Sequence, residues 1–409
     1  MDQTMLNKYA ELVAAAGVNI QKGQSLVITS PLECAPFVRA VAKAAYQAGA
    51  RDVVVNWRDE LLAKIRYTHA PDDVFTHFPD WLKDMYTSYA RDGAAFLNVA
   101  ASDPELMSDV KPERIAAEHK AASTALKDYI QRRMSNLNRW CVVSAPTGAW
   151  AQKVFPELSE AEAVEKLWNV IFRTVRADRE DPLAAWEEHK SNLRSRTQRL
   201  NQYQLRQLHL YNTLGTDLTV ELPENHIWLG GSDFTPEGME FIPNLPTEEI
   251  FTLPKKDGVN GRVVSSMPLN YNGNLVRDFS LTFENGRIID YQAQSGYDTL
   301  KNMLETDDGA NYLGEIALVP YDSPISKENI LFYNTLFDEN ASSHLAIGRA
   351  YPLCLKDSQS MSEEQLTQRG VNYSLIHTDF MIGTKDLTIT GTTQSGEKVP
   401  VFVGGNFAF

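Results

Sequence analysis

Apolar residues in the first 150 positions fall into short runs separated by amphipathic stretches. Residues 24–29 (QSLVIT), 52–56 (DVVVN), 95–100 (AFLNVA) and 140–144 (WCVVS) have strand length and are rich in β-branched or bulky apolar side chains. Between the first two, residues 35–48 read as an alanine-rich helix with Gly49 as its C-terminal cap. Strand, helix and strand at this spacing make a βαβ unit, which implies a parallel sheet with a helical crossover. Residues 114–134 have the length and rhythm of one long helix. This half reads as an α/β domain on a parallel sheet.

Residues 156–212 read as helical. Ser159 and Glu162 form an S-x-x-E capping box that opens a helix through Trp168 and Phe172. A second charged helical stretch, 184–207, follows Pro182. Beyond it the pattern shifts to period two. Residues 217–222 (DLTVEL) alternate, 281–291 read as a hairpin turning at Asn285-Gly286, and 386–403 as another turning at Ser395-Gly396. The change of period places a boundary near residue 200. It separates an α/β scaffold domain, 1–200, from a strand-rich α+β domain, 201–409.

A chain of 409 residues exceeds the size at which a single core stops growing, which supports two domains. Its net charge of −14 offers no basic field for nucleic acid or an anionic membrane. Cys34, Cys141 and Cys354 are odd in number, far apart and without a CxxC pair, so they read as small buried hydrophobes in a reducing compartment. The first 17 residues are amphipathic with no signal-peptide pattern, and no run approaches the roughly 20 apolar residues of a membrane span. A cytoplasmic location is expected. No GxGxxG or GxxxxGK[ST] occurs, and SPLECAP follows the first strand, which points to a scaffold and not a nucleotide site.

The chemistry concentrates in the second half, where Glu249, Glu315, Glu339, His344, His377 and Asp379 follow one another. Four carboxylates balance two divalent cations, and the mixed O/N donor set suits Zn, Co or Mn in a hydrolytic site. His377 and Asp379 stand two apart in a strand-like run and share a face. Glu315 immediately precedes an apolar strand, where an unpaired charge is costly. Asn340 and the small residues after it read as the start of a short helix, with Glu339 ahead of it and His344 in its early turns. Glu248 and Glu249, fixed between prolines, offer one metal ligand and one general base. The other histidines (69, 77, 119, 189, 209 and 226) read as structural or surface residues.

PNLPTEEIFT, LGEIALV, TLFDENASSH and HTD, in this order and with YAELVAAAGVNIQKGQSLVI near the start, resemble the thermophilic metallo-aminopeptidases typified by aminopeptidase T, aminopeptidase S and PepS. The resemblance spans the whole chain and implies two metal ions held by the six residues, with Glu249 as a ligand and Glu315 as a bridge. It also implies that Tyr351 assists catalysis, that Glu248 or Glu315 acts as base, and that the enzyme is a homodimer with its active sites facing an internal cavity. Short peptides with a free N-terminus are the implied substrates. The competing readings are another dinuclear hydrolase, such as a dipeptidase or amidohydrolase, and a non-catalytic binding protein with a structural metal.

Overall fold

Ser25–Pro31 (β1), Asp52–Arg58 (β2), Ala95–Val99 (β3) and Trp140–Val143 (β4) pair in parallel, in the order β2-β1-β3-β4. The structure, a computed structural model, describes residues 2–271 and 274–409. Helix Ala35–Gln47 (α1) joins β1 to β2 and buries Phe37, Val38 and Val41, with Phe37 stacked on Tyr9 at 4.8 Å. Glu60–His69 (α2) and Asp80–Arg91 (α3) follow β2. Tyr86 and Ala90 of α3 cluster with Val27 and Phe96 of the sheet.

The single helix expected over 114–134 is two helices, Pro112–Ala125 (α4) and Lys127–Met134 (α5), joined at Leu126. Leu126 and Tyr129 pack into that cluster, and this packing fixes the break. The capping box at Ser159 and Glu162 opens Glu160–Thr174 as expected. The helical reading of 156–212 runs too far: helix Pro182–Tyr203 (α6) ends at Gln204, whose φ is +46°, and Leu205–Tyr211 is a strand. LRQLHLY alternates buried and outward positions, and period two overrides helix propensity.

The chain divides into two compact units, Met1–Glu187 with Ser232–Pro246, and Glu188–Gly231 with Thr247–Phe409. The first crossing lies inside α6. The second unit holds a nine-stranded antiparallel sheet that begins at Leu205–Tyr211. Both expected hairpins are present. Asn285 and Gly286 have φ of +49° and +82°, as a type I′ turn requires. Strands Thr388–Thr393 and Lys398–Val403 flank the turn containing Gly396.

A smaller antiparallel sheet in the same unit comprises Ile250–Thr252 (β5), Leu313–Leu318 (β6), His344–Gly348 (β7) and His377–Met381 (β8), in the order β8-β7-β6-β5. Alternate residues Ile316, Leu318, Leu345, Ile347 and Phe380 belong to the unit's hydrophobic core. Each such side chain contributes about 1.5–3 kcal/mol when fully buried, so one face of this sheet is anchored before its other face is considered. Among the described residues no helix is long and apolar enough to cross a membrane.

Candidate metal centre

The opposite face of the small sheet carries the ionisable residues. Across the ladders Glu315 stands opposite Ala346 and Ala346 opposite Asp379, while Ala317 faces His344 and Gly348 faces His377. Ala317 also faces Phe251, and Glu249, two positions before Phe251, continues that face just ahead of β5. Side chains opposite one another share a face, so Glu249, Glu315, His344, His377 and Asp379 converge. The residues among them are small. Ala346 separates Glu315 from Asp379, and Gly348 (φ +101°) has no room for a Cβ, which would lie 2.3 Å from the Ile376 carbonyl oxygen. An irregularity in register between Leu313 and Glu315 bends β6 just where the shared carboxylate projects.

His344 is on β7, not in an early helical turn. The preceding 3-10 turn, Glu339–Ala341, stops at Ser342, whose backbone is extended, and HLAIG is buried and paired on both sides. Glu339 sits in that turn.

Two three-ligand sets result, Glu249–Glu315–His344 and Glu315–His377–Asp379, each with donor atoms within 4.8 Å of one another. His344 Nε2 lies 3.2 Å from Glu249 Oε2 and 3.9 Å from Glu315 Oε1. His377 Nε2 lies 3.4 Å from both Glu315 Oε2 and Asp379 Oδ1. Glu315 therefore turns one oxygen to each histidine.

Both imidazoles are oriented alike. His344 Nδ1–H donates to the Ser342 carbonyl at 3.0 Å, and His377 Nδ1–H to the Arg349 carbonyl at 2.6 Å. A carbonyl can only accept, so each Nδ1 bears the proton and each Nε2 faces the carboxylates, the arrangement metal-ligating histidines adopt. Glu249 Oε2 is buried without a hydrogen-bond partner, an acceptor aimed at the cluster and left unfilled by protein groups. A cation fits this donor set better than any protein partner does.

The electrostatics agree. Burial by itself would lower the pKa of His344, but Glu249, Asp379 and Glu315 outweigh it and raise it to about 10. Burial, together with the charges of Asp379 and Glu249, pushes Glu339 well above the usual carboxylate range. Burial likewise raises Glu315. A pocket that forces protons onto its own groups is one in which positive charge is wanted.

The remaining candidates lie at the margins. The Tyr351 ring packs against His377 at 4.8 Å and Phe251 at 5.9 Å, with 38% of the residue exposed. Glu248 is buried with a different neighbour: its Oε2 is 3.6 Å from His189 Nε2, and its backbone N–H donates to Asn340 Oδ1 at 2.8 Å. His189, on α6, also meets the Thr247 carbonyl at 2.8 Å. Nothing in the sequence pattern marked His189, since it lies on an element far from the acids it meets. The Ser342 and Arg349 carbonyls were equally invisible, because a carbonyl carries no residue identity.

The model of the thermophilic metalloprotease family (M29) matches residues 2–407. Aminopeptidase 2 of Geobacillus stearothermophilus is 50% identical over 404 residues, covering 99% of this chain and 98% of the relative. Aminopeptidase AmpS of Bacillus subtilis (strain 168) is 49% identical over 404 residues with the same coverage. The structure described as wild-type AmpT from Thermus thermophilus superposes with a TM-score of 0.93 at 38% identity, over 99% of each chain.

Proposed function

This chain belongs to the thermophilic metalloprotease family (M29), and from that premise we propose that it removes N-terminal residues from short peptides at a two-metal centre. Its standing as a metallo-aminopeptidase follows from the family and from full-length relatives that are aminopeptidases. The finer reading rests on one observation, the position of Glu315 between two histidines with an oxygen toward each. Glu249 and His344 would hold one divalent ion and His377 and Asp379 the other, with Glu315 available to both and Glu339 alongside.

Zn, Co or Mn bound there would supply Lewis acidity toward the scissile carbonyl and acidify water. Glu248 takes the proton from the attacking water and returns it to the leaving amine. Its buried carboxylate, adjacent to Glu249 and held beside His189, supports this assignment over the shared Glu315. Tyr351, seated on His377, donates its O–H to the developing oxyanion. The pocket's excess of carboxylates suits a substrate bearing a free ammonium group. A cytoplasmic homodimer belongs to the same proposal.

The test is hydrolysis of leucine p-nitroanilide and a free dipeptide, as isolated, after chelation, and after return of Zn, Co or Mn with metal counted. Activity lost and then restored at about two ions per chain, with N-blocked substrates rejected, is the expected result. Cleavage of blocked substrates would point instead to another dinuclear hydrolase. Metal retained without turnover would mean a closed structural site.

A further inference from the structure

The first unit holds a half-open cavity of about 780 Å³ that the aminopeptidase chemistry does not use. Its floor is one face of the parallel sheet, including Val27, Thr29, Asn56, Phe96 and Trp140. Its far wall is formed by α2, α3, α4 and α5.

Thr29 and Asn56 on the floor are satisfied internally. The Tyr86 hydroxyl is 2.9 Å from Thr29 Oγ1, and Asn56 Nδ2 donates to it at 2.9 Å. Arg66, on the wall, is paired with Glu118 at 2.6 Å.

One corner differs. Arg133 of α5 lays its guanidinium 4.7 Å from the Trp140 ring centroid and 5.6 Å from that of Tyr129. Its Nη1 reaches the Tyr129 hydroxyl at 3.4 Å, and it makes no ion pair among the described residues. Arg133 Nε and Trp140 Nε1 are both buried, and both lack a hydrogen-bond partner. Two N–H donors from different elements, one of them cationic, are thus left unmet in one aromatic corner. Tyr129 extends that corner, at 4.9 Å from Phe96 and 5.1 Å from Tyr86.

Buried N–H donors without acceptors are rare in folded proteins, and here two of them, on half-buried side chains, fall in one corner. The unmet donors call for a compact acceptor with negative charge, and the aromatic walls call for an apolar body. Arg58, on the floor of the same cavity and close enough to act on Tyr129, adds positive charge, but a phosphate fits less well because the lining holds neither a lysine nor a glycine-rich loop. We propose that this cavity is a second ligand site, which takes a small aromatic carboxylate with its carboxylate between Arg133 Nε and Trp140 Nε1 and its ring against Tyr129 and Phe96.

The test is calorimetric titration of the metal-loaded full-length protein with 3-phenylpropionate, using 3-phenylpropanol as the neutral analogue. One acid bound per chain is expected, with the alcohol at least tenfold weaker. Arg133→Gln should weaken the acid at least tenfold. Trp140→Phe, which keeps an aromatic ring beneath Arg133 but removes the N–H along with part of the indole, should weaken it severalfold. Glu315→Ala, which disables the metal centre, should leave the affinity unchanged. Absence of binding at millimolar acid would overturn the proposal. So would equal binding of acid and alcohol, or loss of binding in Glu315→Ala, which would place the acid at the metals. Should Arg133→Gln fail to fold, as judged by its melting curve, an unchanged affinity in Trp140→Phe overturns the proposal by itself.

Discussion

The parallel sheet β1–β4 and the small antiparallel sheet β5–β8 each have four strands, and each presents polar side chains on one face. On the parallel sheet two of these, Thr29 and Asn56, are neutral, and a single tyrosine hydroxyl bonds to both. On the antiparallel sheet five ionisable groups meet around Ala317, Ala346 and Gly348, and protein partners leave them unbalanced. Both sheets rest on well-packed apolar residues. The difference lies in what occupies the gaps: small residues on the antiparallel sheet let acids and histidines approach one another, and on the parallel sheet large aromatic residues stand between the polar groups. A reactive centre on this scaffold is therefore made as much by its alanines and glycine as by its acids.

That contrast is sharpest at Glu315, which both ligand sets share. Glu315→Ala should lower peptidase activity by about 10³-fold or more and strip the chain of metal, as metal counting beside the assay would show. Phe37→Ala is its counterpart in the first unit. It should cost about 3–5 kcal/mol of stability in denaturant unfolding, while the folded fraction keeps its full metal content. If Phe37→Ala depleted metal as Glu315→Ala does, the division between packing and chemistry would fail.

Glu248→Gln separates base from ligand. kcat should fall by about 10²–10³-fold with metal content intact, and loss of metal would make Glu248 a ligand instead. Tyr351→Phe should reduce kcat by about 10²-fold with little change in KM, the pattern of a contact made only in the transition state. Ala346→Val probes the gap between Glu315 and Asp379. It should cost about 1–3 kcal/mol through overpacking and weaken metal retention during chelator titration, which the same change on a solvent-facing strand position would not do.

The smallest effect belongs to a surface contact away from both sheet faces. Hydrogen bonds from the Thr213 and Thr384 hydroxyls and the Thr213 N–H hold the exposed Asp386 carboxyl at a pKa of about 2. A folded-state pKa below the unfolded value stabilises above the unfolded value of 3.8, and that contribution is lost as pH falls toward about 2. Asp386→Asn should thus lower the urea midpoint slightly at pH 7, narrow the gap to wild type below pH 4, and leave metal content unchanged. A gap that persists at low pH would assign the effect to shape and not to charge.

The four strands of the parallel sheet and β6 and β8 of the small sheet were legible as short apolar or strand-like runs, and the Asn-Gly turn because only certain residues accept positive φ; β5, three residues beside a proline-rich stretch, was not. The long helix over 114–134 was misjudged at Leu126, where packing against the aromatic cluster outweighs a continuous helical rhythm. His344 was misassigned to a helix because small polar residues precede it. Pairing with β6 and β8 decided the matter, and pairing is not local information.

By itself, the sequence determined the fold class, the position of the turns and the inventory of acids and histidines, because these depend on residue type and short-range spacing. Only the tertiary structure decided that Glu315 stands between two histidines and that two carbonyls fix their tautomers. It alone paired Glu248 with His189 and left Arg133 and Trp140 with unmet donors. Each of these depends on which strands and helices become neighbours. That choice is made by burying whole faces together, a property no segment of the chain has alone.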